Sequence, residues 1–232
     1  KIKIERKDWR LILLIGFLAI PLNQFLYLYG MKFSTAANGA LLYASTPVLV
    51  LLLSALFMKE RVTLRKVSGI LLAFAGITIV IFERGVDFSS DYTMGNAIIM
   101  IAVIAWAIFT IVGKPLILKY GALQTTAVSA ICGALMFAPF GLAGTLSFSF
   151  SGLSVLDWAG IAYLGVGTSV VGYVLWYYAL GRIEASKVAV FANGQPIFAT
   201  ILSIMFLDYT MTSGFILGGV ITIAGVIITQ LN

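Results

Sequence analysis

Eight stretches of this chain run for 18 to 25 residues without a carboxylate or guanidinium in their middle. They are Leu11 to Tyr29, Ala36 to Met58, Leu64 to Phe82, Met94 to Leu118, Thr125 to Leu142, Trp158 to Leu180, Ala185 to Leu207 and Gly214 to Leu231. An α-helix needs about 20 apolar residues to cross a bilayer. Barrel strands would alternate polar and apolar over about ten residues, whereas these runs are continuous and about twice that length, so they read as helices. Soluble domains are about 45–50% apolar and about 25% charged; this chain is 61% hydrophobic and 10% charged. The fold class that follows is an all-α polytopic membrane protein. Lys1 to Ile20 has the charge pattern of a signal peptide, but it lacks a small-residue cleavage site and flows into a full-length span.

Several chemistries are excluded at once. The 232 residues contain no histidine and one cysteine, Cys132, in an apolar stretch. That removes the commonest general base and metal ligand and any disulfide within the chain. No metal site and no cofactor are expected. The basic residues are too dispersed for nucleic acid, and topology explains them better. Numbering the loops alternately puts Lys1, Lys3, Arg6, Lys7, Arg10, Lys59, Arg61, Arg65, Lys66, Lys114, Lys119, Arg182 and Lys187 on one side, and Lys32 and Arg84 on the other. Thirteen against two predicts that both ends of this chain face the cytoplasm.

The chain also repeats itself. A shift of 149 residues aligns Asp8 to Val80 with Asp157 to Thr229 without a gap. Matches include Asp8/Asp157, Trp9/Trp158, Gly16/Gly165, Tyr29/Tyr178, Ala36/Ala185, Pro47/Pro196, Thr63/Thr212, Gly69/Gly218 and Gly76/Gly225. Five spans fall within one period, and an odd number inverts the second copy in the membrane. The charges agree: Lys59, Glu60, Arg61, Arg65 and Lys66 in the first copy become Asp208, Tyr209, Thr210, Gly214 and Phe215 in the second. Inverted repeats of this kind characterise secondary transporters. The expected organisation is a partial first repeat over residues 1–84, with three spans, and a complete second repeat over 94–232, with five, together forming one transmembrane domain. The arithmetic predicts two further spans ahead of Lys1, roughly 55 residues, and ten in the intact protein.

Two stretches carry a family resemblance. Leu26 to Gly85 has an aromatic-Ala/Gly turn, a helix containing Pro47, the loop Lys59-Glu60-Arg61-Val62-Thr63 and a Gly-rich helix. Tyr177 to Thr229 repeats the order around Pro196, with Asp208-Tyr209-Thr210 departing from the Gly-Glu-Arg/Lys pattern. In order and spacing these resemble the EamA-type transporters of the drug/metabolite transporter superfamily, over nearly the whole chain. The resemblance implies a ten-helix exporter of small metabolites in the cytoplasmic (cell inner) membrane, with a central cavity between the halves.

Candidate site residues come from where the spans are interrupted or polar. Proline inside a helix frees backbone carbonyls, and Pro47 and Pro196 do so at matched positions of two inverted helices. Transporters place substrate where such broken helices meet. Tyr43, Ser45 and Thr46 lie beside Pro47, and Asn193, Gly194 and Gln195 beside Pro196. The alternative is a kink healed by neighbouring helices; the pairing favours a lined cavity. Asn23 lies mid-span with Tyr27 one turn on. Tyr173 and Trp176 share a helical face, and Trp106 sits mid-span. Aromatic walls with a few amides and hydroxyls suit an amphiphilic small molecule. The substrate-binding set is therefore Asn23, Tyr27, Tyr43, Ser45, Trp106, Tyr173, Trp176, Asn193 and Gln195, with Pro47 and Pro196 as helix breaks. A single aromatic here fits ordinary packing better, while the convergent set favours the cavity.

Other recurring residues read as structural. Asp8-Trp9 and Asp157-Trp158 each precede a span, so Asp is expected to cap the helix and Trp to anchor at headgroup level. Gly160, Gly165, Gly167, Gly172, Gly214 and Gly218 have the spacing of close helix contacts. No acid lies at depth to load a proton, so transport is expected to be facilitated or coupled near the span ends, through Lys114, Glu184 or the upstream spans. The expected partners are a small-molecule substrate and the lipid bilayer, with a homodimer as an allowed assembly and no nucleic acid. An enzyme would need a nucleophile and base or a metal, and a channel a filter or subunit ring; a carrier working by alternating access fits best.

Overall fold

The computed structural model describes residues 4–82, 85–146, 148–195, 197–198, 201 and 212–231. Every regular element among them is helical. The first span is built from α1 (Trp9–Phe17), a wider π-helical stretch (Leu18–Gln24) that contains Pro21, and α2 (Phe25–Gly30). The second is split into α3 (Ala36–Ala44) and α4 (Thr46–Met58). Then come α5 (Leu64–Phe82), α6 (Thr93–Tyr120) and α7 (Ala122–Leu146). A further span runs from α8 (Val155–Ala162) through a π stretch (Tyr163–Gly172) to α9 (Tyr173–Leu180). Last are α10 (Ala185–Ala189) with a 3-10 turn (Val190–Gly194), and α11 (Ser213–Gln230). Seven helices among the described residues are long and apolar enough to cross a membrane. The expected eighth, Ala185 to Leu207, continues from α10 into positions that lie partly outside the described residues.

The helices form two compact units, Lys1–Pro21 with Val112–Ile183, and Leu22–Ile111 with Glu184–Asn232. In the second unit α5 and α11 are repeat mates, and they cross antiparallel at glycines. A Cβ on Gly76 would sit 2.5 Å from the Thr222 nitrogen, and one on Gly218 would sit 2.5 Å from the Gly76 oxygen. Gly69 and Gly225 meet in the same way. At the centre, Thr222 Oγ1 lies 3.5 Å from the Ala73 carbonyl it donates to, a pair separated by 149 residues. Gly69 opposite Gly225 and Gly76 opposite Gly218 is the pattern of two copies related by a two-fold axis through Ala73 and Thr222. The matched threonines also act alike: Thr63 Oγ1 accepts from the Lys66 N–H and Thr212 Oγ1 from the Phe215 N–H.

In the first unit α1 packs on α7 through Gly16 and Gly133, where a side chain on Gly133 would collide with the Gly16 backbone. Gly165, the mate of Gly16, and Gly160 meet open space among the described residues, while Gly167 faces only its own Tyr163. The expected helix contacts along this stripe are therefore not made, because no described helix occupies the position that α7 takes against Gly16. Gly218 does make its contact. The aspartate caps are also revised. Asp8 makes no capping bond; its carboxylate instead accepts from Lys119 Nζ at 2.6 Å and from the Tyr120 hydroxyl. Ser154 is the cap of α8, and Asp157 completes a capping box from the third helical position, so the serine three residues before the Asp157-Trp158 pair performs the expected role.

Candidate functional site

The second unit holds the interrupted segments. The turn at Ser45 separates α3 from α4, and Pro47 falls in the first turn of α4, where its missing N–H is tolerated. Ser45 Oγ bonds the Leu42 carbonyl at 2.6 Å, so this hydroxyl serves the break itself. Pro196 lies outside the described residues; immediately before it the chain winds as a tight 3-10 turn. Val190 belongs to an apolar cluster with Leu51, Ile70 and Ala73. Ile197 belongs to another, with Ala37, Leu41, Ala44 and Phe215. The two segments therefore run antiparallel, with Asn193 lying in sequence between Val190 and Ile197 and Thr46 between Ala44 and Leu51.

Both side chains are buried, Asn193 at 1% and Thr46 at 0% exposure. Among the described residues, neither Asn193 Oδ1, Asn193 Nδ2 nor Thr46 Oγ1 has a hydrogen-bond partner. Folded proteins rarely leave such groups unmet, because each costs about 1–3 kcal/mol. An amide with donor and acceptor both open can engage a small polar molecule at two points. Gln195, two residues along the same turn, is exposed and does not share the Asn193 layer.

A second polar group lies in the same unit. The Asn23 amide donates to the Ala102 carbonyl at 2.9 Å and to the Tyr43 hydroxyl. The Tyr43 ring meets Tyr27 edge to face, with centroids 5.0 Å apart. Asn23 lies in the last turn of the π stretch of the first span, and wide turns of this type recur at functional sites. Trp106 lies one turn beyond Ala102 and stacks on Phe109 at 5.0 Å. Asn23, Tyr27 and Tyr43 thus form one bonded cluster, with Trp106 on the helix that accepts the Asn23 bond.

Tyr173 and Trp176 belong to the first unit, on α9, and are half-buried. The buried member of that face is Tyr177, whose ring lies so close to Gly113 that no side chain would fit there. Sequence patterns do not single out the π stretch or Pro21. Thr46 had a signal, since it is the repeat mate of Gln195 and precedes Pro47.

The EamA-like transporter family model matches residues 1–82 and 93–231. The chain belongs to the EamA-like transporter family. Among relatives, an uncharacterized transporter YetK from Bacillus subtilis is 29% identical over 99% of this chain and 70% of its own length. An uncharacterized transporter from Archaeoglobus fulgidus is 29% identical over 98% of this chain and 78% of its own. A protein of Streptantibioticus cattleyicolor, named "Probable terminal-alkyne amino-acid exporter", is 26% identical over 96% of this chain and 73% of its own. The crystal structure of a protein sharing 18% identity superposes with a TM-score of 0.83, covering 97% of this chain and 76% of that one. This EamA-family chain is therefore a multi-pass membrane protein, and the relatives named here are transporters. Among the described residues no group of His, Cys, Asp and Glu could hold a metal ion.

Proposed function

We propose that this protein is a secondary carrier that exports small metabolites, amino acids or amphiphilic compounds across the cytoplasmic membrane by alternating access. Both ends of this chain would face the cytoplasm, as the thirteen-to-two division of basic residues indicates. The observation that carries the reading is the trio of polar atoms on Asn193 and Thr46 that are buried and without a hydrogen-bond partner among the described residues, one residue on each of two interrupted segments. In transporters, interrupted helices and their freed polar groups form the substrate site. The amino-acid exporter among the relatives supports the substrate class. The Asn23–Tyr43–Tyr27 cluster would supply an aromatic wall and Trp106 a second one.

The test is counterflow of labelled amino acids in liposomes holding the full-length protein, comparing wild type with Asn193→Leu and Thr46→Val. Loss of counterflow in both variants, with normal insertion, is expected. Wild-type rates in both would remove these residues from the site.

A further inference from the structure

The second unit is tied at its two ends by different chemistry. At the end rich in basic residues, the Glu60 carboxylate accepts from the Ala185 N–H at 2.7 Å, the Ser186 N–H at 3.4 Å and the Ser186 hydroxyl at 3.0 Å. Beside it, buried Lys66 pairs with Glu184 at 2.7 Å and donates to the Arg61 carbonyl at 2.9 Å. A loop of the first repeat thus grips the start of the segment that leads, within two turns, to Asn193. The backbone is bent to make the grip. Lys59, just before Glu60, adopts a left-handed conformation with φ of 55°, which L-residues other than Gly, Asn and Asp adopt at a cost.

Inversion of the repeat assigns each member a mate at the opposite end. Glu60 corresponds to Tyr209, and Ala185 and Ser186 to Ala36 and Ala37; Lys66 and Glu184 correspond to Phe215 and Thr35. No mate carries a charge. Phe215 is buried instead in an apolar cluster with Ala37, Leu41 and Ala44, and neighbouring contacts there are neutral, such as the Asn38 amide accepting from the Asp87 N–H at 3.0 Å. Among the described residues, charge-assisted bonds at one end thus face apolar packing at the other.

We infer that Glu60 is a positioning residue, supported by the Lys66–Glu184 pair, that clamps the Asn193 segment at one end only. Its loss opens that end in preference to the other. This rests on the carrier reading and on the topology that makes this end cytoplasmic. In such a carrier a one-sided clamp sets the resting balance toward the state closed to the cytoplasm.

The experiment uses the full-length protein with Cys132→Ser and a reporter, Ala189→Cys, at a fully buried position in the clamped segment. A membrane-impermeant maleimide is applied to the cytoplasmic face in inside-out vesicles and to the opposite face in intact cells. Glu60→Gln should raise cytoplasmic labelling about tenfold, the scale of losing one charge-assisted bond, and leave labelling from the other face unchanged. Lys66→Met should act in the same direction, and Glu60→Asp, which retains the carboxylate, should keep the slow rate. Unchanged labelling in Glu60→Gln and Lys66→Met overturns the clamp. An equal rise at both faces also overturns it, since that is general loosening. Labelling requires no substrate, so failure here leaves the carrier reading standing, and failed counterflow leaves this result readable.

Discussion

Replacing Asn193 by leucine should make the protein more stable and less active, an unusual pairing that follows from its unmet amide. The residue is 1% exposed and both amide atoms are without partners among the described residues. Each such atom costs about 1–3 kcal/mol, so removing two returns about 2–6 kcal/mol before packing is considered. Leucine has a similar volume but a different branch, and misfit in a packed interior costs about 1–3 kcal/mol. The net expectation is a gain of about 1–3 kcal/mol, or roughly 2–10 °C in Tm for a chain of this size. Thermal unfolding in detergent, followed by tryptophan fluorescence, reads the first half of the prediction. Counterflow of labelled amino acid by the same preparation reads the second. A variant that loses stability and still transports at the wild-type rate would refute the reasoning, because Asn193 would then be an ordinary structural amide.

Other expectations concern the frame around the site. Gly76→Ala and Gly225→Ala should each destabilise by at least about 1–3 kcal/mol, and by similar amounts, because both push a Cβ into the backbone of the mated helix; thermal melts of the two variants check the symmetry. Lys59→Gly should raise stability by about 0.5–1 kcal/mol without altering the Glu60 bonds, since it relieves the left-handed strain at φ 55°; melts and maleimide labelling together check this. The ammonium of Lys119, and then that of Lys7, holds the Glu5 carboxyl below its ordinary range. Stabilisation from Glu5 is therefore present above the unfolded pKa and lost as pH falls through the lower folded value. Because the group is exposed the effect is small and salt-sensitive. The difference in Tm between wild type and Glu5→Gln should shrink between about pH 6 and about pH 3.

Much of the helical frame is legible in the sequence because a bilayer leaves the backbone few choices. Continuous apolar runs had to be helices, and the 149-residue offset marks α5 and α11 as repeat mates, though their glycine-to-glycine contact emerges only in the structure. The loops were harder. Asp8 has a cap's position, yet its carboxylate is drawn to Lys119 and Tyr120, which lie more than 110 residues away in sequence. The Gly160–Gly165 stripe has contact spacing, yet spacing does not supply a partner helix. Amides beside prolines single out candidate segments, but period and composition cannot tell that Asn193 is buried and Gln195 exposed. Two residues on a helical turn differ by about 200°, and which of them is buried depends on the helices packed around the turn. Wide π turns have no residue signature at all, which is why the stretch around Asn23 emerges only in three dimensions.

Counterflow tests the carrier claim most directly. Liposomes containing the full-length protein are loaded with unlabelled amino acids, and a trace of labelled compound is added outside. The account predicts transient accumulation of label above its equilibrium level, dependent on the internal compound and saturable. Entry of label that ignores the internal amino acids would mark a channel-like pore and contradict the account.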